Sequence, residues 1–408
     1  MRGGVSYDVD AVRARFPALR HGVAHFDGPG GTQTPDVVAA AVAEALMSPI
    51  ANRGRTTAAE RTADDLVIAA RQAMADLLGA AADGVVFGRS MTQLTYDFSR
   101  ALAKTWRPGD EVVVSRLDHD ANVRPWIQAA EAVGATVRWI EFDRATTELN
   151  AGHVEQALSD RTRLVAVTAA SNLIGTQPPI EAIAPLVHDA GALLYVDGVH
   201  AAAHGPVDIA ALGCDFYACS PYKFCGPHLG VVAARPEVLE PLAPDKLLPS
   251  TNQIPERFEL GTLPYELLAG TTAAVDFLAG LAREPVASRR DGVVAGMTAV
   301  ERYEDDLRRR VEAGLSSLPG VVSHSRATHR TPTMLLTVDG RDAADAYRFL
   351  AERGVNAPAS SFYALEPSRW LGLGDTGGLR VGLAPYNNAD DVTRLLDGLA
   401  AFVRSDGG

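Results

Sequence analysis

The chain has 408 residues, 47% hydrophobic and 22% charged, the profile of a soluble globular protein with enough apolar material for a large core. A net charge of −12 and arginines dispersed rather than clustered argue against nucleic acid as a partner. No apolar run approaches the roughly 20 residues of a membrane helix, and MRGGVSYDVDAVRARF has no apolar signal core, so no membrane partner is expected and the predicted location is cytoplasmic.

In chain order, residues 10–19 read as a short helix stopped near Pro17, and AHFDGPGGTQTP as a strand entering a glycine-rich loop. GPGG has neither GxGxxG spacing nor a GK[ST] ending, so its glycines suit close packing or substrate approach rather than a nucleotide. Ala-rich amphipathic helices are predicted over 36–47 and 58–78, with Arg53 and Arg55 in the loop between them. From Val85 strands alternate with helices: VVFGRS runs into a helix ending at Lys104, EVVVSR into LDHDAN, TVRWIEFD follows, and RLVAVTAASN precedes a helix over 180–190. Such alternation implies repeated β–α crossovers and a mostly parallel sheet covered on both faces. Its strand ends carry Ser90, His119 and Asn172, and the free N–H groups of the helix that starts after Ser90 suit a phosphate.

Residues 192–235 concentrate the chemistry. ALLYVD ends in Asp197, DFYACS ends in Ser220 and is followed by Lys223, and GVVAAR leads away again. If the first two strands are neighbours, Asp197 and Lys223 emerge about 5 Å apart sideways, a span suited to one flat aromatic ring. A carboxylate for a pyridinium nitrogen and a lysine at the far side of that ring are what pyridoxal phosphate (PLP) chemistry requires, and Ser220 is placed for the phosphate. Lysine is scarce, with only Lys104, Lys223 and Lys246 in the chain, and Lys223 alone lies in an apolar, Gly/Pro-flanked segment that favours the neutral amine. His188, His200 and His204 match neither HExxH nor a zinc-finger pair, so no metal is expected. Cys214, Cys219 and Cys225 lack CxxC spacing and read as buried apolar side chains.

After a Pro-rich passage, RFELGTLPYE leads to a long helix over 293–318. The strands TPTMLLTV and GLRVGLA, with helices over 342–353 and 389–403, form a smaller unit. The expected division is a large domain at 20–280 and a small one made of 1–19 and 281–408.

From HFD at His25 to YNN at Tyr386 the chain resembles the class V aminotransferase superfamily, and within it the cysteine-desulfurase-like branch. That resemblance implies an α/β, fold-type-I PLP architecture: a large domain with a mainly parallel seven-stranded sheet, a small C-terminal α/β domain, and a homodimer with shared active sites. It implies that Lys223 carries the cofactor, that Asp197 partners the ring nitrogen, that His119 stacks on the ring, and that Asn172 and His200 lie near the ring hydroxyl. Phosphate contacts would come from Ser90, Met91, Thr92, Ser220 and Tyr222, and from Thr262 across the subunit boundary. Arg380 would grip the carboxylate of a small amino-acid substrate, with Arg55 and Tyr363 shaping the pocket. Two departures bear on the reaction. The loop PASSFYA at 358–364 has Tyr363 where the branch has its sulfur-accepting cysteine, and Tyr222 precedes the lysine where the family has histidine. The expectation is therefore a PLP-dependent carbon–sulfur lyase acting by β-elimination without a persulfide cysteine. The alternatives are an aminotransferase or epimerase on the same scaffold, and a non-catalytic PLP-binding protein.

Overall fold

A computed structural model describes residues 7–281 and 285–405. Its centre is a seven-stranded sheet made of β1 (Val85–Gly88), β2 (Glu111–Ser115), β3 (Thr136–Ile140), β4 (Thr162–Thr168), β5 (Leu193–Asp197), β6 (Phe216–Cys219) and β7 (Gly230–Ala234), in the order β1-β7-β6-β5-β4-β2-β3. Only β7 runs against the others, pairing antiparallel with both β1 and β6. Because every strand but the edge strand β3 is covered on both sides, those runs are nearly continuously apolar, and their period of two divides them between two cores. Val113, Val165, Leu194 and Tyr217 join one cluster; Val112, Val114, Leu164, Tyr195 and Phe216 join the other. Each fully buried Val or Leu contributes about 1.5–3 kcal/mol relative to exposure, so a one-residue slip of register would be prohibitive.

Helix boundaries follow local chemistry. The helix α1 spans Asp36–Met47 and α2 spans Ala58–Leu78. Thr57 and Glu60 close a capping box at the start of α2, and Gly79 ends it at φ 65°. The expected helix over 10–19 is instead a short helix at Val9–Arg13 and a separate 3-10 turn at Pro17–His21. Phe16, immediately before the proline, is extended because the proline ring disfavours a helical residue there.

The helix α3 covers Met91–Ala103, α4 Ile180–Asp189, α5 Tyr265–Ala279 and α6 Arg289–Leu315. The last begins four residues earlier than the apolar pattern suggests, since the Ser288 hydroxyl accepts from Asp291 N and starts the helix there. A four-stranded antiparallel sheet follows: β8 (Val321–Ser323), β9 (Thr333–Val338), β10 (Ala359–Ser360) and β11 (Gly378–Gly382), ordered β10-β11-β9-β8. It shares one apolar core with α6, α7 (Ala343–Ala351) and α8 (Ala389–Arg404). Ala24 and Phe26 belong to that same core, because Ala24 and His25 pair in parallel with Val355 and Asn356. Gly28 lets this segment touch the small sheet, since a Cβ there would lie 2.9 Å from Leu383 O. Among the described residues no helix is long and apolar enough to cross a membrane.

Candidate active site

At the carboxyl ends of β2, β4, β5 and β6 lies a cavity of about 960 Å³. It sits beside the β2–β4 pair, where the chain order of the strands reverses, the usual ligand crevice of such sheets. β5 and β6 are parallel neighbours with Asp197 opposite Ala218, so Asp197 and the turn carrying Lys223 leave adjacent strands on the same rim. Ser90, Met91, Thr92, His119, Asn172, His200, Ser220, Tyr222, Tyr363 and Arg380 also line the cavity.

Lys223 closes a one-turn 3-10 helix at Pro221–Lys223, and its Nζ donates to the Pro29 carbonyl of the glycine-rich loop. Burial, reinforced by Arg380 and opposed by Asp197, pulls its pKa down to about 7. Asp197 is buried too, and desolvation raises it to about 6 although Val199 N donates to its Oδ1 at 2.9 Å. It therefore carries negative charge at neutral pH, as a partner for a protonated ring nitrogen must. His119 accepts from Ala121 N through Nδ1 at 3.0 Å, and burial lowers its pKa to about 3. The imidazole is thus neutral with its proton on Nε2, a flat uncharged surface.

Three buried polar atoms around the cavity have no partner: Asn172 Oδ1, His200 Nδ1 and Arg380 Nε. An unpaired buried polar atom costs about 1–3 kcal/mol, so this grouping marks groups reserved for a ligand. The rest of each side chain is held in place. Asn172 Nδ2 donates to Phe362 O at 3.0 Å, His200 Nε2 lies 3.0 Å from both the Thr331 and Thr333 hydroxyls, and Arg380 Nη1 donates to Asn172 O at 3.0 Å. Burial lowers Arg380 to about 9, opposed by Asp27, which leaves the guanidinium charged. At the other end, Ser90 caps α3 by accepting from Gln93 N at 3.1 Å, leaving the first amides of that helix for an anion.

Two expected residues lie elsewhere. The Arg55 side chain is 83% exposed and 3.5 Å from Asp64, and Thr262 is exposed; neither lines the cavity of its own chain. Arg53 ties their two segments together by reaching Asp64 at 2.8 Å and Glu256 at 3.0 Å. Conversely, Pro29, Gly30, Tyr96, Asp120, Arg124 and Phe362 line the cavity without having been singled out as site residues. GPGG signalled the first two as a place of close approach; Phe362 carried no signal. Phe362 and Tyr363 occupy the left-handed region at φ 52° and 56°, a cost of about 1–2 kcal/mol each that the surrounding hydrogen bonds must hold.

The model of the family described as Aminotransferase class-V matches residues 24–395. The chain belongs to the class V aminotransferases. These are PLP-dependent enzymes, and the lysine, carboxylate, helix terminus and unpaired polar atoms of the cavity fit that cofactor. The chain is 34% identical to an uncharacterized protein of Mycobacterium tuberculosis over 98% of its own length and 100% of the relative. It is 32% identical to a cysteine desulfurase of Klebsiella pneumoniae subsp. pneumoniae, over 97% and 98% of the two chains. The cysteine desulfurase CsdA of Escherichia coli superposes with a TM-score of 0.85 at 26% identity, covering 97% of this chain and 98% of that one. As a class V enzyme this chain is thus desulfurase-like in fold, while its 358–364 loop contains no cysteine.

Proposed function

We propose that this class V enzyme cleaves the bond between Cβ and sulfur of an α-amino acid by elimination, without a persulfide on the enzyme. The observation that carries this reading is the absence of a thiol facing the cavity. The loop over the site offers Ser360, Ser361, Phe362 and Tyr363, and Cys214, Cys219 and Cys225 are all buried in the cores. Burial pushes the thiols of Cys214 and Cys225 up to about 12 and that of Cys219 up as well, so none is a thiolate at neutral pH. Attack on a substrate sulfur needs the thiolate.

Bound PLP supplies an electron sink for the bonds around the substrate Cα. The chain's residues supply the rest. Arg380, with a free Nε, holds the substrate carboxylate side-on. Lys223, neutral over half the time above pH 7, removes the proton from Cα. Asp197 keeps a positive charge favourable at the ring nitrogen, and neutral His119 gives the ring a face without competing charge. The sulfur then leaves Cβ as a thiol, and water releases pyruvate and ammonium.

A Cys214/Cys219/Cys225→Ser triple variant tests this directly, with cystine and S-substituted cysteines as substrates. Pyruvate release within about threefold of the parent is expected, the tolerance reflecting repacking of three small buried groups. A folded, PLP-loaded variant that loses sulfur release, with persulfide trapped on Cys225 of the parent, would overturn the proposal.

We also propose a homodimer in which Thr262 completes the phosphate site of the partner subunit and Arg55 faces that site's entrance. The exposed positions of both residues, beside the exposed Leu260, support this, because a surface threonine has no role within its own chain's cavity. Sizing of the holoenzyme at assay concentration checks it: a fully active monomer excludes shared sites.

A further inference from the structure

We infer that Phe362 and Tyr363 select the substrate side chain, and that the site prefers cysteine S-conjugates with a bulky apolar or aromatic group on sulfur over cysteine itself. The inference rests on the elimination reading above and deepens it.

The turn that carries these residues is held from several sides. Asn172 Nδ2 donates to Phe362 O at 3.0 Å, Asp120 N to Tyr363 O at 2.7 Å, and Ala364 N to Ser361 O at 2.8 Å. Just beyond it, buried Glu366 bridges Arg116 at 2.8 Å and Arg124 at 2.7 Å, both from the large sheet's rim. Two successive left-handed residues held this way give a fixed feature. Their rings serve two different side chains of the site. Phe362 lies 3.6 Å from the Arg380 guanidinium carbon, and Tyr363 stacks on His119 with centroids 5.7 Å apart at 27°.

Phe362 covers a face of the guanidinium, so the carboxylate is received at its edge, where Nε is free. That fixes the direction in which Cβ and its substituent leave. Tyr363 remains 77% exposed at the mouth, a large aromatic surface left open among the described residues. Tyr96, Pro125 and Leu365 add apolar surface to the same cavity. At about 960 Å³ the cavity of the single chain is at the upper end for small-molecule sites. A thiol side chain would leave these rings wet, whereas a bulky apolar substituent on sulfur desolvates them.

The reaction balances without an acceptor or redox partner. R–S–CH2–CH(NH3+)–COO− and one water give R–SH, pyruvate and NH4+. The Cα–H, Cβ–S and Cα–N bonds break: the proton taken from Cα passes to Lys223, the electron pair of the Cβ–S bond leaves with sulfur, which is protonated to the thiol, and water supplies the carbonyl oxygen as Cβ gains a proton and nitrogen leaves as ammonium.

The test compares S-benzylcysteine, S-methylcysteine and cysteine on the holoenzyme, reading both the cofactor absorbance change on binding and pyruvate release. The expected kcat/KM is at least about tenfold higher for S-benzylcysteine than for S-methylcysteine. That ratio should fall toward one in Phe362→Ala and Tyr363→Ala. It should persist in Tyr363→Phe, which keeps the ring. Phe362→Leu, which keeps an apolar side chain of most of the volume and loses the flat face, should lower it if the alanine variants fail to load PLP. Pyruvate released equally well from all three substrates, or a benzyl preference unchanged in Phe362→Ala, Tyr363→Ala and Phe362→Leu, overturns the selectivity and leaves the elimination intact. A benzyl preference in binding with no pyruvate from any substrate overturns the elimination and with it the conjugate as substrate.

Discussion

Lys223→Ala is expected to abolish turnover and leave any PLP in the protein unattached. Loss of the group that moves the Cα proton alone lowers kcat by about 10²–10⁴-fold, and loss of covalent cofactor attachment adds to it. Borohydride reduction followed by peptide mapping should place a pyridoxyl group on Lys223 of the parent and on no residue of the variant. A label on Lys104 or Lys246 would sink the assignment; both are held outside the cavity, Lys104 by Asp245 at 2.6 Å and Lys246 by Ser250 O at 2.9 Å. The depressed pKa adds a pH signature. Burial lowers Lys223 to about 7, so the neutral amine that captures the cofactor aldehyde grows about tenfold between pH 6 and 8 and then levels off. An ordinary lysine would keep gaining about tenfold per pH unit to beyond pH 9. Stopped-flow PLP uptake by apoprotein separates the two, and a climb continuing past pH 9 would show that this amine is not desolvated.

Arg380→Ala should raise KM by about 10²–10³-fold, the loss of a buried two-pronged, charge-assisted contact with the substrate carboxylate. Arg380→Lys should recover little of it, because an ammonium offers no planar fork. A second effect distinguishes this from generic damage. Arg380 contributes to the depressed pKa of Lys223, so removing its charge stabilises the ammonium, and the PLP-uptake profile should move to higher pH. A KM near that of the parent, or an uptake profile that stays put, would remove Arg380 from the site.

Much of the scaffold was written locally. Strand runs bounded by turn residues and the apolar period of the helix over 58–78 act through neighbours a few residues apart, and that helix fell where its pattern put it, closed in the structure by Thr57 and Gly79. Lys223 stood out for a compositional reason, being the only one of three lysines in an apolar segment, and Asp197 because a carboxylate ends an otherwise apolar strand. Where the expectation slipped, a local rule had been misweighed: Pro17 splits the first helix at Phe16, and Ser288 starts α6 early.

What could not be read was what distant segments do to one another. The Pro29 carbonyl meets Lys223 across 194 positions, and Asn172 meets the Phe362 carbonyl across 190. Neither contact leaves a periodicity or a spacing, because each is made when the small lobe packs its N-terminal strand and its 358–364 loop onto the rim of the large sheet. Which side chains end the parallel strands, and hence the lysine, carboxylate, imidazole and helix terminus on one rim, is set along the chain, since period-two alternation and turn chemistry act between near neighbours. The faces those groups present depend on how the folded chain packs. That packing buried Lys223, Asp197 and Arg380 together so that their charges couple, and it laid Phe362 and Tyr363 on Arg380 and His119. It also left Arg55 and Thr262 on the surface, because desolvation and stacking depend on what lies across the cavity rather than on what lies next in the chain.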